Sequence, residues 1–224
     1  MKRYGHACAL ARALDVVGDR WSLLIVRELL LREQCRYTDL KSGLPGIATN
    51  LLADRLRELE SAGVIRRHEA PPPIATTVFE LTDRGRALER AVIALGLWGA
   101  PLLGAAAPRD HVRLYWYGLW ARHALTDHSP ERPGATLELR ATGDEVPLIL
   151  EVGNGAVRTR VRRRTEPDAI LTGPVRAVAA LLTGRSSLAA GRRKGVRYTG
   201  DPAILARVQP AAAGRGTKHR FPSV

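Results

Sequence analysis

The chain has 224 residues, enough for one large domain or two of about 100 residues each. Hydrophobic residues make up 45% and charged residues 25%, ordinary proportions for a soluble globular protein. The formal net charge is +13, which favours polyanionic partners, nucleic acid first among them.

No apolar run reaches the roughly 18 residues of a membrane span. Arg12 and Asp15 interrupt the apolar stretch near the N-terminus, so neither a signal peptide nor a membrane partner is expected, and a cytoplasmic location is. The charge is uneven: residues 1–107 carry +3 and the remainder +10. Only Lys2, Lys41, Lys194 and Lys218 are lysines, so a base-composition bias towards arginine accounts for part of the excess. Two cysteines, Cys8 and Cys35, make no disulfide scaffold and are too few for a cysteine zinc site. The six histidines show no metal-ligand spacing, and phosphate loops, dinucleotide turns and nucleophile elbows are missing. No metal, cofactor or enzymatic activity is therefore expected.

In chain order, residues 8–17 place Leu10, Leu14 and Val17 on one helical face. Gly18-Asp19 breaks that helix. Residues 20–32 form a second helix, apolar most of the way round and hence buried. Residues 36–43 make a short amphipathic helix ending at Gly43, and Pro45-Gly46 is a tight turn. Residues 48–62 are the clearest amphipathic helix, with Leu52, Leu56 and Leu59 on one face and Gly63 as its stop. Two strands are expected at 64–69 and 76–81, joined by a stiff tip at 70–75 whose three prolines cannot pair in a ladder. Thr82 caps a long helix, 83–103, with Leu88, Val92, Leu95 and Trp98 or Leu102 on one stripe. The segment 105–108 suits a domain boundary.

Beyond it, residues 111–126 read as an aromatic-rich helix and 135–143 as a strand. Residues 147–164 read as a hairpin turning at Gly153-Asn154-Gly155. A strand at 167–173, a helix at 174–184 capped by Gly184, and a strand, turn and short helix over 196–208 complete the pattern. The fold class is α+β: a winged helix-turn-helix domain over 1–107, a small α+β domain over 108–208 that is a candidate for ligand binding, and a basic flexible tail over 209–224.

Helix, helix, short helix, turn, amphipathic helix and hairpin is the element order of a winged helix-turn-helix. The major groove admits one helix. Helix 48–62 would enter it while helix 36–43 crosses the backbone. Opposite the leucine face stand Asn50, Asp54, Arg57 and Ser61, flanked by Thr49 and Arg55. Arg36, Thr38, Thr49, Asn50, Arg55, Arg57, Arg66 and Arg67 are the candidate DNA-binding residues. Any amphipathic helix has a solvated polar face, so the ordered set of elements carries this reading rather than any one residue.

The segment CALARALDVVGDRWSLLIVRELLL, with RYTDLKSGLPGIATNLLADRLRELESAGVI, Phe79 to Thr82, Gly85 and Trp98-Gly99, resembles the HxlR family of regulators, relatives of the MarR group. The resemblance covers about residues 6–103. It implies a transcription regulator, usually a repressor, that binds a pseudo-palindromic operator in double-stranded DNA as a homodimer. Its dimer contacts come mainly from residues 7–17 and 83–103. Some members sense thiol-reactive compounds through an N-terminal cysteine, which aligns with Cys8. His6, Lys2 and Arg12 lie close enough in sequence to assist. The other reading of Cys8 is a small apolar residue at the dimer seam.

Residues 111–208 resemble, less specifically, sterol carrier protein type 2-like domains, through PDAILTGPVRAVAALLTGR and VRYTGDPAILARV. That fold implies an apolar cavity for a hydrophobic small-molecule effector. Trp116, Leu119, Trp120, Leu148, Leu150 and Leu181 are its candidate lining residues, or else simply the core of an α+β domain. Along Arg158, Arg160, Arg162, Arg163 and Arg164 one strand face becomes cationic; it touches DNA, binds an anion, or is only solvated.

Three functions remain open. One is a repressor released by a small hydrophobic ligand. Another is a redox or electrophile sensor acting through Cys8. The third is a lipid-carrier or enzyme protein with an incidental winged helix.

Overall fold

The computed structural model describes residues 3–71, 76–105, 110–162 and 165–210. Most of the proline-rich tip, the boundary segment 106–108, Lys2, Arg163, Arg164 and the tail beyond 210 lie outside the described residues. The chain divides into two compact units, Met1–Gly96 and Leu97–Val224.

In the first unit, α1 is Ala9–Val17 and α2 is Ser22–Arg32. The strand β1, Gln34–Arg36, follows, then α3, Tyr37–Gly43, and α4, Thr49–Ser61. The strands β2, Ile65–Glu69, and β3, Thr77–Leu81, form the hairpin, followed by α5, Asp83–Arg86, and by α6, Glu89–Gly99, whose last three residues fall in the second unit. The strand order β1-β3-β2 makes a three-stranded antiparallel sheet. The strand β1 was not expected from the sequence. Glu33 takes φ 65° and turns the chain out of α2, so that Gln34, Cys35 and Arg36 pair with Glu80, Phe79 and Val78. The core is Ile25 and Leu29 of α2, Leu52, Leu56 and Leu59 of α4, and Ile65 and Leu81 of the sheet, of which the leucine face of α4 is the one its apolar spacing marks. Each such side chain contributes about 1.5–3 kcal/mol on leaving water.

The stretch expected as one helix over 83–103 is broken. Thr82 caps α5 by accepting the Gly85 N–H, and the chain turns at Ala87 and Leu88 before α6 begins. Residues Ala100–Ala105 then tighten into a 3₁₀ helix. The stripe expected there is not core. Leu95, Trp98 and Leu102 are exposed, Trp98 at 76%, and α6 buries no residue. On α1, Leu10 and Leu14 are likewise exposed.

In the second unit a 3₁₀ turn, Leu114–Tyr117, runs into α7, Gly118–Ala124, and then β4, Leu125–Asp127. The expected helix 111–126 thus ends early, because Leu125 and Thr126 pair with Pro210 and Gln209 in the sheet. Strands β5, Ala135–Ala141, β6, Leu148–Gly153, β7, Ala156–Arg160, and β8, Ala169–Gly173, come next. Helices α8, Val175–Leu182, and α9, Leu188–Arg193, precede β9, Arg197–Gly200, α10, Pro202–Arg207, and β10, Val208–Pro210. The seven strands lie in the order β10-β4-β7-β6-β5-β8-β9, parallel only between β5 and β8. Asn154 and Gly155 both have positive φ, 54° and 79°, the backbone of the two-residue hairpin turn expected there. Two residues assigned to the tail, Gln209 and Pro210, belong to β10.

The short terminal strand is held by a buried ion pair. Arg207 donates from Nε and Nη2 to the two oxygens of Asp127 at 3.0 and 2.9 Å. Its Nη1 donates to the Pro133 carbonyl at 2.9 Å. The Asp127 carboxylate also accepts the Ser129 N–H. Hydrogen bonding from Arg207 outweighs burial and holds its pKa down at about 2.

Candidate nucleic-acid interface

The spacing and exposure of α3, α4 and the hairpin decide what the first unit can touch. Arg36 N–H donates to Asp39 Oδ2 at 2.9 Å and fixes the start of α3. The Tyr37 hydroxyl donates to the Thr49 carbonyl at 2.7 Å, tying the first residue of α3 to the first of α4. Lys41 Nζ donates to the Ile47 carbonyl across the intervening turn. Gly46 sits in that turn at φ +88°, a conformation glycine adopts without strain, close to the Trp21 ring. Beneath the turn, Leu40, Leu44, Ile47 and Leu52 are buried. Two short helices are thereby locked at both ends of their connection.

One face of α4 is buried through Leu52, Leu56 and Leu59, while Thr49, Asn50 and Arg57 are exposed. Thr49 and Asn50 stand on its first turn, where a helix inserted in a groove meets base edges. Arg57 is 73% exposed and pairs with Asp54. Arg55 is placed differently from the sequence expectation. Its guanidinium pairs with Asp19 from the α1–α2 turn and with Glu58 at 2.6 Å, and only 15% of the side chain is exposed. It braces α4 against the rest of the unit rather than offering a free cation. Arg36 and Thr38 are both exposed, at and just inside the start of α3.

The hairpin carries a cross-strand row that the sequence did not reveal. Gln34, Glu80 and Arg66 are direct neighbours across β1, β3 and β2. Gln34 Nε2 and Arg66 Nε donate to opposite oxygens of Glu80, at 3.0 and 2.6 Å. The Gln34 hydrogen bond, with help from Arg66, holds the Glu80 carboxyl below the usual carboxylate range despite its burial. Arg67, on the other side of β2, pairs with Glu60 of α4 at 3.3 Å. Arg66 and Arg67 remain 66% and 60% exposed and so project from the wing as cations braced at the base.

A second brace lies under α3. Glu28 is fully buried and accepts from Arg27 Nη2 at 2.7 Å and Arg32 Nε at 3.2 Å, and Arg27 reaches the Gly43 carbonyl. An Arg-Glu pair inside an apolar helix was its sequence signal. Cys8 stands exposed at the N-terminal end of α1, and Cys35 is buried in β1. The backbone N–H groups of Ala11 and Leu10 lower the Cys8 pKa. Of the neighbours expected to assist, Arg12 is turned to Asp15 at 3.6 Å and His6 lies against Tyr4.

In the second unit, the six candidate effector residues divide. Leu119, Leu148, Leu150 and Leu181 are buried, with Leu148 and Leu150 at zero exposure, and belong to the core. Trp116 and Trp120 are half-buried. An open polar groove on this unit is lined by Thr136, Glu151, Asn154, Arg158, Thr165 and Asp168, among others, and by none of the six. No helix among the described residues is long and apolar enough to cross a membrane, and none of their His, Cys, Asp and Glu side chains form a metal-holding group.

Residues 16–106 match the HxlR-like helix-turn-helix family. The uncharacterized HTH-type transcriptional regulator sll1512 of Synechocystis sp. is 36% identical over 99 residues, 44% of this chain and 73% of that protein. The chain belongs to the HxlR-like helix-turn-helix family. The regulator YvaP of Bacillus subtilis, also uncharacterized, is 34% identical over 87 residues, 39% of this chain and 80% of that protein. Among solved structures, PA1607 is similar at 38% identity over 50% of this chain and 77% of its own length, with a TM-score of 0.42. The HxlR match ends at residue 106, so the seven-stranded sheet stands outside it.

Proposed function

We propose that this HxlR-type transcription regulator is a repressor that binds a pseudo-palindromic operator as a homodimer. The helix α4 enters the major groove and the wing holds flanking phosphates. The observation that carries the reading is the first turn of α4: Thr49 and Asn50 are exposed there, and Tyr37 anchors the same turn. Arg36, Arg57, Arg66 and Arg67 supply phosphate contacts, which position the protein but carry no sequence information. The exposed Leu10, Leu14, Leu95 and Trp98 on α1 and α6 support a second copy of this chain as the partner that covers them. Apolar surface of that kind, left in water, marks an association site.

The second unit is the input domain on this reading. An apolar effector that contacts Trp116 and Trp120 prefers a dimer geometry whose recognition helices no longer match the operator, and so releases the DNA. A second reading rests on one observation, the exposed Cys8 with a thiol shifted towards thiolate. There the inducer is an electrophile or oxidant and the thiol is the sensor. Cys8→Ser separates the two: it leaves release intact for an apolar effector and abolishes it for an oxidant.

Selection of duplexes from a random pool, followed by footprinting, tests the first reading. It predicts enriched sites with two protected half-sites about one helical turn, roughly 34–36 Å, apart. A pool that enriches no sequence, or a single protected half-site, contradicts it.

A further inference from the structure

The sheet of the second unit has two chemically different faces. Pairing across β5, β6, β7 and β8 places Leu137, Leu139, Leu148, Leu150, Val157 and Leu171 on one face, all buried. The opposite face is set by the same register. One row across β5, β8 and β9 is Arg140, Thr172 and Arg197. The next, from β7 to β9, is Arg160, Ile149, Glu138, Ile170 and Thr199. A third, across β7, β6 and β5, is Arg158, Glu151 and Thr136.

Four arginines and two glutamates share these rows. Glu138 pairs with Arg140 at 2.6 Å and Glu151 with Arg160 at 2.5 Å. The Asp168 carboxylate, at the end of the third row, accepts from the Thr136 N–H and hydroxyl. Arg158 and Arg197 are both exposed, and among the described residues neither has a carboxylate partner. The face therefore carries excess positive charge on a rigid ladder. Arg158 and Arg197 are four strand spacings apart across the sheet and four residues apart along it, hence about 23 Å from each other. Along that distance B-DNA carries roughly thirteen phosphates, both strands counted.

We propose that this face of the second unit is a contact surface for the phosphate backbone of duplex DNA, made by Arg158 and Arg197 with Arg140 and Arg160 beside them. The inference rests on the regulator reading, which brings DNA to the chain. It adds that the unit outside the HxlR match also binds DNA, without sequence preference. Guanidinium suits the role, being always charged and able to offer a phosphate two parallel donors. Glu138, itself buried, and Glu151 pair with Arg140 and Arg160 and lower the net charge of the face, which restrains binding to stray polyanions.

The test is the salt dependence of duplex binding by the full chain, comparing the parent with Arg158→Ser/Arg197→Ser and Arg158→Lys/Arg197→Lys. Each phosphate contact contributes about 0.9 to the slope of log affinity against log salt. The serine variant is expected to flatten that slope by about 1.8, with equal loss on selected and scrambled duplexes. Between about 50 and 200 mM salt this makes the parent's loss of affinity about tenfold greater than the variant's. The lysine variant keeps the parent slope. Circular dichroism and thermal melting verify that both variants are folded.

Parent-like slopes in a folded serine variant overturn the proposal alone. Absence of salt-dependent binding in the parent overturns the regulator reading with it. A serine variant that changes the monomer–dimer equilibrium in sedimentation, with its slope unchanged, assigns the face to a second copy and also overturns the proposal.

Discussion

Asp127→Asn removes one charge from the most buried ion pair described in the second unit. Asp127 and Arg207 expose 0% and 5% of their side chains. The amide keeps the volume but can accept through only one of its two ends, so the buried Arg207 cation loses its counter-charge and one acceptor, keeping the amide oxygen and the Pro133 carbonyl. Breaking a buried pair from one side costs about 3–5 kcal/mol. With a urea slope of about 2 kcal/mol/M, the midpoint falls by roughly 1.5–2.5 M.

Acid supplies an independent measure. The Asp127 pKa in the folded chain is depressed to about 2 from an ordinary 3.8. A depressed carboxylate stabilises the fold fully above its unfolded pKa and loses that contribution as pH falls through the folded one. Between about pH 5 and pH 2 the parent should therefore lose about 2 kcal/mol that Asp127→Asn has already lost. The assay is urea unfolding followed by tryptophan fluorescence at several pH values, since Trp116 and Trp120 report from the same unit. A midpoint within about 0.3 M of the parent at neutral pH, or a gap that does not narrow in acid, refutes the reasoning.

Other perturbations follow from single contacts. A Cβ on Gly85 would stand 2.1 Å from the Val64 carbonyl oxygen; Gly85→Ala must push α5 off the hairpin, and an overpacking loss of about 1–3 kcal/mol is expected in thermal melts. Asn50→Ala should cost about 1–3 kcal/mol of base discrimination, roughly five- to 150-fold, while binding to scrambled duplex stays unchanged; equal losses on both would remove Asn50 from base reading. Iodoacetamide should modify the exposed Cys8 well before the buried Cys35. Its rate should rise with pH at a midpoint below that of an ordinary cysteine thiol, since the Ala11 and Leu10 N–H groups lower its pKa, and mass spectrometry that finds both modified together would count against the sensor reading.

In the first unit α4 was legible because its apolar spacing is regular and it buries the leucines that spacing selects; α2, apolar most of the way round, has no period to mark Ile25 and Leu29 as its buried residues, and the single helix expected over 83–103 is broken. Thr82, Gly63 and Asn154-Gly155 were legible because each satisfies a local backbone demand. The strand β1 was not, since three residues carry no period and the pairing partner is 46 residues away at Glu80. Nor were β4 and β10, each three residues long, with β10 paired to β4 and β4 also to β7.

At the candidate interface, exposure of Thr49, Asn50 and Arg57 followed from the leucine stripe. Arg55 did not, because Asp19 lies 36 residues earlier and only the fold brings it close. Leu148 and Leu150 illustrate a different limit: an apolar strand residue looks the same from sequence whether it lines a cavity or fills a core. Here both are fully buried.

Sequence reading in duplex DNA is the property expected of the first unit. Its most direct test is the ratio of affinities for a selected duplex and its scrambled counterpart, measured with the full chain at about 150 mM salt, where non-specific attraction is screened. A ratio of about a thousand or more is expected. Equal affinity for the two duplexes contradicts it.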